Sequence, residues 1–334
     1  MTSIQNILED FKAKNFNQAL IGIDKLLAKN PNHEKNINFK GIILNNLNQT
    51  NEARKCWLEA FQINNLYVEP VYNLAESFLI KKDYNEAIKY FIKASKLQSK
   101  NFLIYFKLGF ILMEKRNLDE AIKYFKKSLT LNNKFSDTYF NLAVVYNLLN
   151  KKEKSILCFQ SVIKLNPNDV EAYYNLAISY RETGDLQMAE KVFEIALKIN
   201  PNYPYLKGQL RFTKNHLCNW DNFSEDKAQI EDNIKENKKV IRPWQSLTML
   251  DSAELLLKNS LLFNKEKNFR SNFALHENKK IILGYFSPDF CDHAVSNQLK
   301  KKLELHNRKK FEIIGFYFNT KKDKQHNEIK KLFR

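Results

Sequence analysis

Apolar residues recur three or four apart through residues 1–203, which is the spacing of amphipathic helices. The whole pattern repeats at a constant period of thirty-four, the step from Ala53 to Ala87, without an insertion. A small residue stands at the eighth position of the second to sixth units: Gly41, Ala75, Gly109, Ala143 and Ala177. Another stands twelve residues on, at Ala19, Ala53, Ala87, Ala121, Ser155 and Ala189. Four residues later comes a bulky group: Ile23, Trp57, Phe91, Phe125, Phe159 and Phe193. Pro31, Pro167 and Pro201 close three units, where a ring that cannot continue a helix stops the second one. This spacing predicts antiparallel helix pairs. The small residues let the two helices approach, and the bulky residue is expected to fill the space between one hairpin and the next. A single hairpin cannot bury its own apolar face, so six units are expected to stack into an α-solenoid over 1–203.

The pattern continues through one more apolar stretch, Tyr203–Trp220, and then breaks. Residues 204–279 read as a capping helix and helical connector. Glu225–Lys238 is charged all round, and Ser252–Phe263 carries a leucine cluster. From Lys280 the texture changes. The run Ile281–Phe286 suits a buried parallel strand, Ala294–Leu305 a helix, Phe311–Asn319 a second strand, and the polar segment to Phe333 a second helix. That order is the start of a doubly wound α/β sheet over 280–334. Two strands apolar on both faces do not make a stable open sheet, so further residues or another chain are expected to complete it.

Composition narrows the classes. Seven Gly and seven Pro argue against a many-stranded sandwich, and 44% apolar residues against a wholly disordered chain. No apolar run approaches a membrane span, and Glu9 and Asp10 interrupt any secretory leader. The formal net charge of +17 invites a nucleic-acid reading, but only eight of the 54 basic residues are Arg, the side chain whose planar fork reads phosphates and bases. Nucleic acid is therefore not the expected partner. Cys56, Cys158, Cys218 and Cys291 form no CxxC pair, so neither a metal site nor a disulfide framework is expected, and buried thiols in a reducing cytoplasm are the simpler reading. His216 and Cys218 lie too close together to ligate a metal from one helix face, which leaves packing as their role.

Two sets of residues carry candidate chemistry. Asn73, Asn141 and Asn175 share the sixth position of the first helix, where Phe39 and Lys107 interrupt the series. Side-chain amides both donate and accept, so a row of them at the repeat distance can hold a peptide backbone without reading its sequence. In the third region, the loop Ser287–His293 follows a strand and precedes a helix, the edge at which open α/β sheets bind ligands. His293 is its one imidazole, close to Asp289 and Asp292, and suits a phosphate contact or a general base. No GxGxxG is present, so a dinucleotide fingerprint is not expected.

The combination of the repeats with Cys218–Asn222 (CNWDN), Pro243–Leu247 (PWQSL), Gly284–Ser296 (GYFSPDFCDHAVS) and Phe311–Tyr317 (FEIIGFY) resembles the O-linked N-acetylglucosamine transferase (SPINDLY-like) family of tetratricopeptide-repeat protein glycosyltransferases. The resemblance implies a right-handed repeat superhelix followed by a Rossmann-like lobe of GT-B type. It implies metal-independent transfer of N-acetylglucosamine from a uridine diphosphate donor to Ser or Thr of a polypeptide held in the repeat groove. It places His293 in the active site and gives Asn73, Asn141 and Asn175 the peptide-binding role. Asn297 stands where many members carry a second His, and most of the catalytic region is missing. The expectation is therefore a fragment inactive alone, with no assignable donor-binding residues. The alternative from a different class is a non-enzymatic scaffold that binds partner proteins.

Overall fold

The computed structural model describes residues 3–267, 281–287, 299–301, 303–317 and 324–333, in two units, Met1–Lys267 and Asn268–Arg334. The first unit opens with twelve helices that pair as hairpins: α1 (Ile4–Lys12) with α2 (Phe16–Lys29), α3 (Glu34–Asn46) with α4 (Thr50–Ile63), and α5 (Val68–Ile80) with α6 (Tyr84–Leu97). The series continues with α7 (Phe102–Glu114) and α8 (Leu118–Leu131), α9 (Ser136–Leu148) and α10 (Lys152–Leu165), and α11 (Val170–Glu182) and α12 (Leu186–Ile199). Each hairpin packs on the next. Among the first helices, α3 also touches α5 and α7 touches α9, to an extent no pair of second helices matches. The first helices are thus the tighter, inner layer of the stack.

The small and bulky positions are buried as the spacing requires: Ala19, Ala53, Ala75, Ala87, Ala121, Ala143, Ala177 and Ala189 are fully enclosed, as are Phe91, Phe125, Phe159 and Phe193. Their contacts differ from expectation in one respect. The bulky residue was expected between hairpins, yet it packs first within its own. A Cβ on Gly41 would lie 2.5 Å from Trp57 Nε1, and one on Gly109 would lie 2.7 Å from Phe125 Cδ1. Phe91, Phe159 and Phe193 meet Tyr72, Phe140 and Tyr174 of the same hairpins edge to face. The periodicity identifies which positions face inward, but not which neighbour they meet.

The turns between paired helices are built alike. Lys14, Asn48, Lys82, Arg116, Asn150 and Gly184, each one repeat from the next, all have φ between 56° and 88°. The residue after each donates its N–H to a carbonyl five positions back, as Gln49 does to Leu44 at 2.9 Å and Asp185 to Tyr180 at 2.9 Å. This is the left-handed helix end that glycine usually occupies. Five of these six positions hold an L side chain, at a cost of about 1–2 kcal/mol each, partly offset by the about 0.5–1 kcal/mol of extra chain entropy that glycine loses on folding. Lys82→Gly is expected to stabilise the array by up to about 1 kcal/mol and Gly184→Ala to destabilise it by about the same. Urea midpoints of the two variants check both signs, and a loss of stability in Lys82→Gly would refute the argument.

Beyond the sixth hairpin, α13 (Leu206–His216) keeps the repeat through its turn: Cys218 has φ 54° and Asn219 donates to the Lys214 carbonyl at 2.9 Å. Then the register fails. The eighth position, Gly or Ala in the preceding five units, is Arg211, 1% exposed. Its guanidinium donates to Asn215 Oδ1 (3.0 Å), the Asp221 carbonyl (2.9 Å), Asp226 Oδ2 (3.2 Å) and the Asn219 carbonyl. A side chain this large excludes a partner helix from the usual place, and α14 (Phe223–Lys235) starts later than the period demands. α14 is not charged all round as its sequence suggested, since Ile230 and Ile234 form a buried seam with Val240, Ile241, Met249, Leu250 and Leu255. The short α15 (Pro243–Ser246) and α16 (Ala253–Lys267) complete the connector. Gly208 is pressed against the segment before α15, donating to the Val240 carbonyl at 2.9 Å.

The second unit contains β1 (Ile281–Ser287) and β2 (Phe311–Tyr317), paired in parallel with Ile281 opposite Phe311 and Ser287 opposite Tyr317, and α17 (Lys324–Lys330). Residues 299–301 and 303–304 between the strands are helical, so the parallel pair has the crossover that such strands need. Leu303, Ile313 and Ile329 form a small buried cluster with Leu299, Leu332 and Phe333 packed against it. No helix among the described residues is long and apolar enough to cross a membrane.

Candidate functional site

The inner layer carries the amides singled out by the repeat, and it does not treat them alike. Asn73 is tied into an internal chain: its Nδ2 donates to Asn38 Oδ1 at 3.0 Å, and Asn38 donates to the Tyr67 hydroxyl at 3.1 Å. Asn141 and Asn175 are half-buried and share one geometry. Each donates Nδ2 to the carbonyl four residues back, Asp137 and Glu171, at 2.8 Å. That bond holds each amide along its helix and leaves Oδ1 as an acceptor for an incoming N–H. At the two interrupted positions, Phe39 packs on Phe11 with ring centroids 5.3 Å apart, and Lys107 bridges to Glu76 of the preceding unit at 3.1 Å. His293 lies outside the described residues, as do Asp289, Asp292, Asn297 and Cys291.

Beside Asn141 opens a cleft of about 200 Å³ lined by Ser136, Asp137, Phe140, Asn141, Val162, Asp169 and Glu171. Burial, and then the neighbouring Asp169 carboxylate, push the Glu171 carboxyl above its ordinary range. Burial, followed by the negative charge of Glu171, pushes the Tyr203 phenol up to about 12. In the third hairpin, burial and then the Glu76 carboxylate raise Tyr72. The inner face thus sets polar groups among aromatic rings, an arrangement suited to holding a polypeptide by its backbone and by packing.

Two features escaped the sequence. Gln209 stands one full repeat after Asn175, at the equivalent place on α13, so the period itself pointed to it. It is buried rather than exposed: its Oε1 accepts from Arg181 Nη1 (2.5 Å) and Gln245 Nε2 (3.1 Å), and its Nε2 donates to the Tyr174 hydroxyl (3.3 Å). It closes the row of amides and pins the connector to the last hairpin. The second feature is an aromatic group at this end. Phe212 meets Trp244 (4.8 Å, 81°) and His216 (4.2 Å), with Trp244 54% exposed. His216 also makes a 2.8 Å bond between Nδ1 and the Phe212 carbonyl. Cys218 is exposed, Cys56 half-buried and Cys158 buried, which corrects the expectation of uniformly buried thiols.

Comparison with known proteins bears on the repeat region. No curated protein sequence matches the chain. Tetratricopeptide-repeat families match residues 68–101, 102–135 and 136–169, each one hairpin of the stack, and also 158–191, which straddles two. Among solved structures, the C-terminal part of a TPR repeat-containing protein from Cytophaga hutchinsonii is similar with a TM-score of 0.58 and 18% identity, over 77% of this chain and 99% of that one. YrrB, described as a TPR protein with an unusual peptide-binding site, aligns with a TM-score of 0.49 and 19% identity, over 54% of this chain and 93% of its own. MamA aligns with a TM-score of 0.47 and 22% identity, over 48% and 94%. At these identities the likeness concerns the fold alone. The constant register, the hairpin stack and the family matches agree, and the chain carries tetratricopeptide repeats over residues 68–191.

Proposed function

We propose that this chain is a protein-interaction scaffold that holds an extended polypeptide segment along its first helices. The observation that carries the reading is the matched geometry of Asn141 and Asn175, one repeat apart, with both Nδ2 groups fixed to their own helix and Asn141 lining a cleft. A pair so placed contacts a bound backbone at the repeat distance, and Asn73, occupied by Asn38, contributes less. Dodecapeptides selected from a random displayed library supply the probe. Asn141→Ala with Asn175→Ala is expected to weaken them about 10-fold, from two hydrogen bonds worth about 0.5–1.5 kcal/mol each. Fluorescence anisotropy reads this, and Asn73→Ala is expected to change it little. Selected peptides indifferent to the double substitution would sink the reading.

A second reading takes its support from residues 281–333. Parallel β1 and β2 joined by a helical crossover are what the opening of a Rossmann-like lobe would contain. With the sequence resemblance, this supports descent from a protein O-glycosyltransferase that uses UDP-N-acetylglucosamine, with His293 as the candidate base. In this reading the repeats present the acceptor polypeptide and the transferase requires a further lobe. Calorimetry with UDP-N-acetylglucosamine and transfer of labelled sugar to a captured peptide test it. Absence of both, when a UDP-sugar-binding lobe is supplied in trans, would remove it.

A further inference from the structure

Arginine is scarce in this chain, eight of its 54 basic side chains, and two of the eight are linked through buried amides at the end of the inner face. Arg181 extends from the last turn of α11, and Arg242 immediately precedes α15. The buried amides Gln209 and Gln245 join them. Gln209 accepts from Arg181 and from Gln245, and Gln245 Oε1 in turn accepts from the Arg242 backbone N–H at 3.4 Å. Aromatic rings lie beside both guanidiniums: Arg181 is 5.4 Å from the Phe212 centroid and 6.0 Å from Phe193, and Arg242 is 5.6 Å from Tyr205.

Neither guanidinium has a carboxylate partner among the described residues. Glu182, next to Arg181 in sequence, is bound to Lys152. Arg242 Nε is buried and makes no hydrogen bond. The fully buried arginine of this region, Arg211, shows the contrast, since Asp226 and two carbonyls satisfy it. Two like charges tied to one amide pair, Arg181 by its guanidinium and Arg242 by its backbone N–H, half enclosed and without an ion-paired carboxylate among the described residues, are unfavourable unless an anion arrives. Consistently, burial and then, among other charges, the repulsion of Arg242 act to lower the Arg181 pKa, against the opposite pull of Tyr174 and Glu182.

We propose that Arg181 and Arg242 form an anion-binding site that receives a carboxylate of the polypeptide lying along the first helices, with exposed Trp244 as its flanking wall. Planar guanidiniums match a carboxylate two bonds at a time, which Lys does not. The proposal rests on the scaffold reading for its ligand, but the site itself is tested separately. The probes are two fluorescein-labelled dodecapeptides of Gly and Ser, one with four Asp and one with four Asn at the same places, each with a free and an amidated C-terminus. The full-length chain is expected to bind the acidic peptide about 10-fold more tightly than the neutral one, the difference expected of a charge-assisted bond. Arg242→Gln is expected to abolish that preference. The amidated pair tells whether a side-chain or a terminal carboxylate is taken. Equal binding of acidic and neutral peptides, or a preference that survives Arg242→Gln, would overturn the site and leave the scaffold reading intact. If no peptide binds, the scaffold reading fails and the site is read by NMR: sodium acetate is expected to shift the Arg242 Nε–H resonance, and an unmoved resonance up to high salt refutes it.

Discussion

Arg211→Met is expected to loosen the C-terminal cap of the solenoid by about 3 kcal/mol, the lower end of what removing one partner of a buried ion pair costs. The reasoning starts from the side chain's place. Arg211 occupies the position where the second to sixth hairpins carry Gly or Ala, and three of its four hydrogen bonds hold residues 219–226, the stretch that displaces α14 from the repeat register. Met fills a similar volume but leaves the Asn219 and Asp221 carbonyls without this donor and Asp226 without its cation. Asp226 is partly exposed and recovers some hydration, which keeps the expected loss at the lower end. Stacked hairpins interact mainly with their neighbours, so the damage should stay local. Hydrogen exchange is the suitable measurement: protection in α13 to α16 is expected to fall, with α1 to α8 unchanged. Arg211→Lys should recover little, because one ammonium cannot reach the same set of acceptors. A loss below about 1 kcal/mol in Arg211→Met would mean that the helix seam of Ile230 and Ile234, rather than the arginine, sets the cap.

These residues also mark how far sequence carries. The hairpins were legible because burial depends on period, and a constant period with small and bulky positions leaves few alternatives. What ends the array was visible only as an oddity, a charged residue at a small position. That Arg211 is buried and satisfied depends on carbonyls of Asn219 and Asp221, further along the chain, which no pattern of apolar positions encodes. The turns were hidden for another reason, since Lys82 and Arg116 carry no turn signal and are held left-handed by the helices they join. The candidate site was legible in part. Asn73, Asn141 and Asn175 are one letter at one position, yet Asn38 one hairpin earlier claims Asn73, while the other two bond only to their own helices. Arg181 and Arg242 are far apart in the chain and share no motif; only the scarcity of arginine pointed to them. Beyond Ser287 the sequence resemblance reaches His293, which lies outside the described residues.

Gly41→Ala is expected to cost about 1–3 kcal/mol, the range for overpacking a filled core, and to become nearly neutral when Trp57 is also replaced by Phe. An added methyl at residue 41 would sit 2.5 Å from Trp57 Nε1 and 2.7 Å from Cδ1. The indole cannot retreat freely, because Nε1 donates to the Asn38 carbonyl at 3.2 Å on the same helix as Gly41. Trp57→Phe alone removes that bond and leaves a void, so it too is destabilising, within the range for large-to-small core changes. Together the two substitutions rebuild the Ala and Phe pairing already present at Ala75 and Phe91, Ala143 and Phe159, and Ala177 and Phe193, all of them fully buried. A double-mutant cycle in urea should therefore give a coupling energy of about 1–2 kcal/mol in favour of the double variant. Gly109→Ala provides the control. Its neighbour Phe125 would be 2.7 Å from the new methyl but holds no hydrogen bond, and the same Ala and Phe pair fits three other hairpins after a small ring shift, so its cost is expected to be lower. Additive losses in the cycle would show that the small residue and the bulky one are set independently, and that the hairpins are not interchangeable copies of one packing solution.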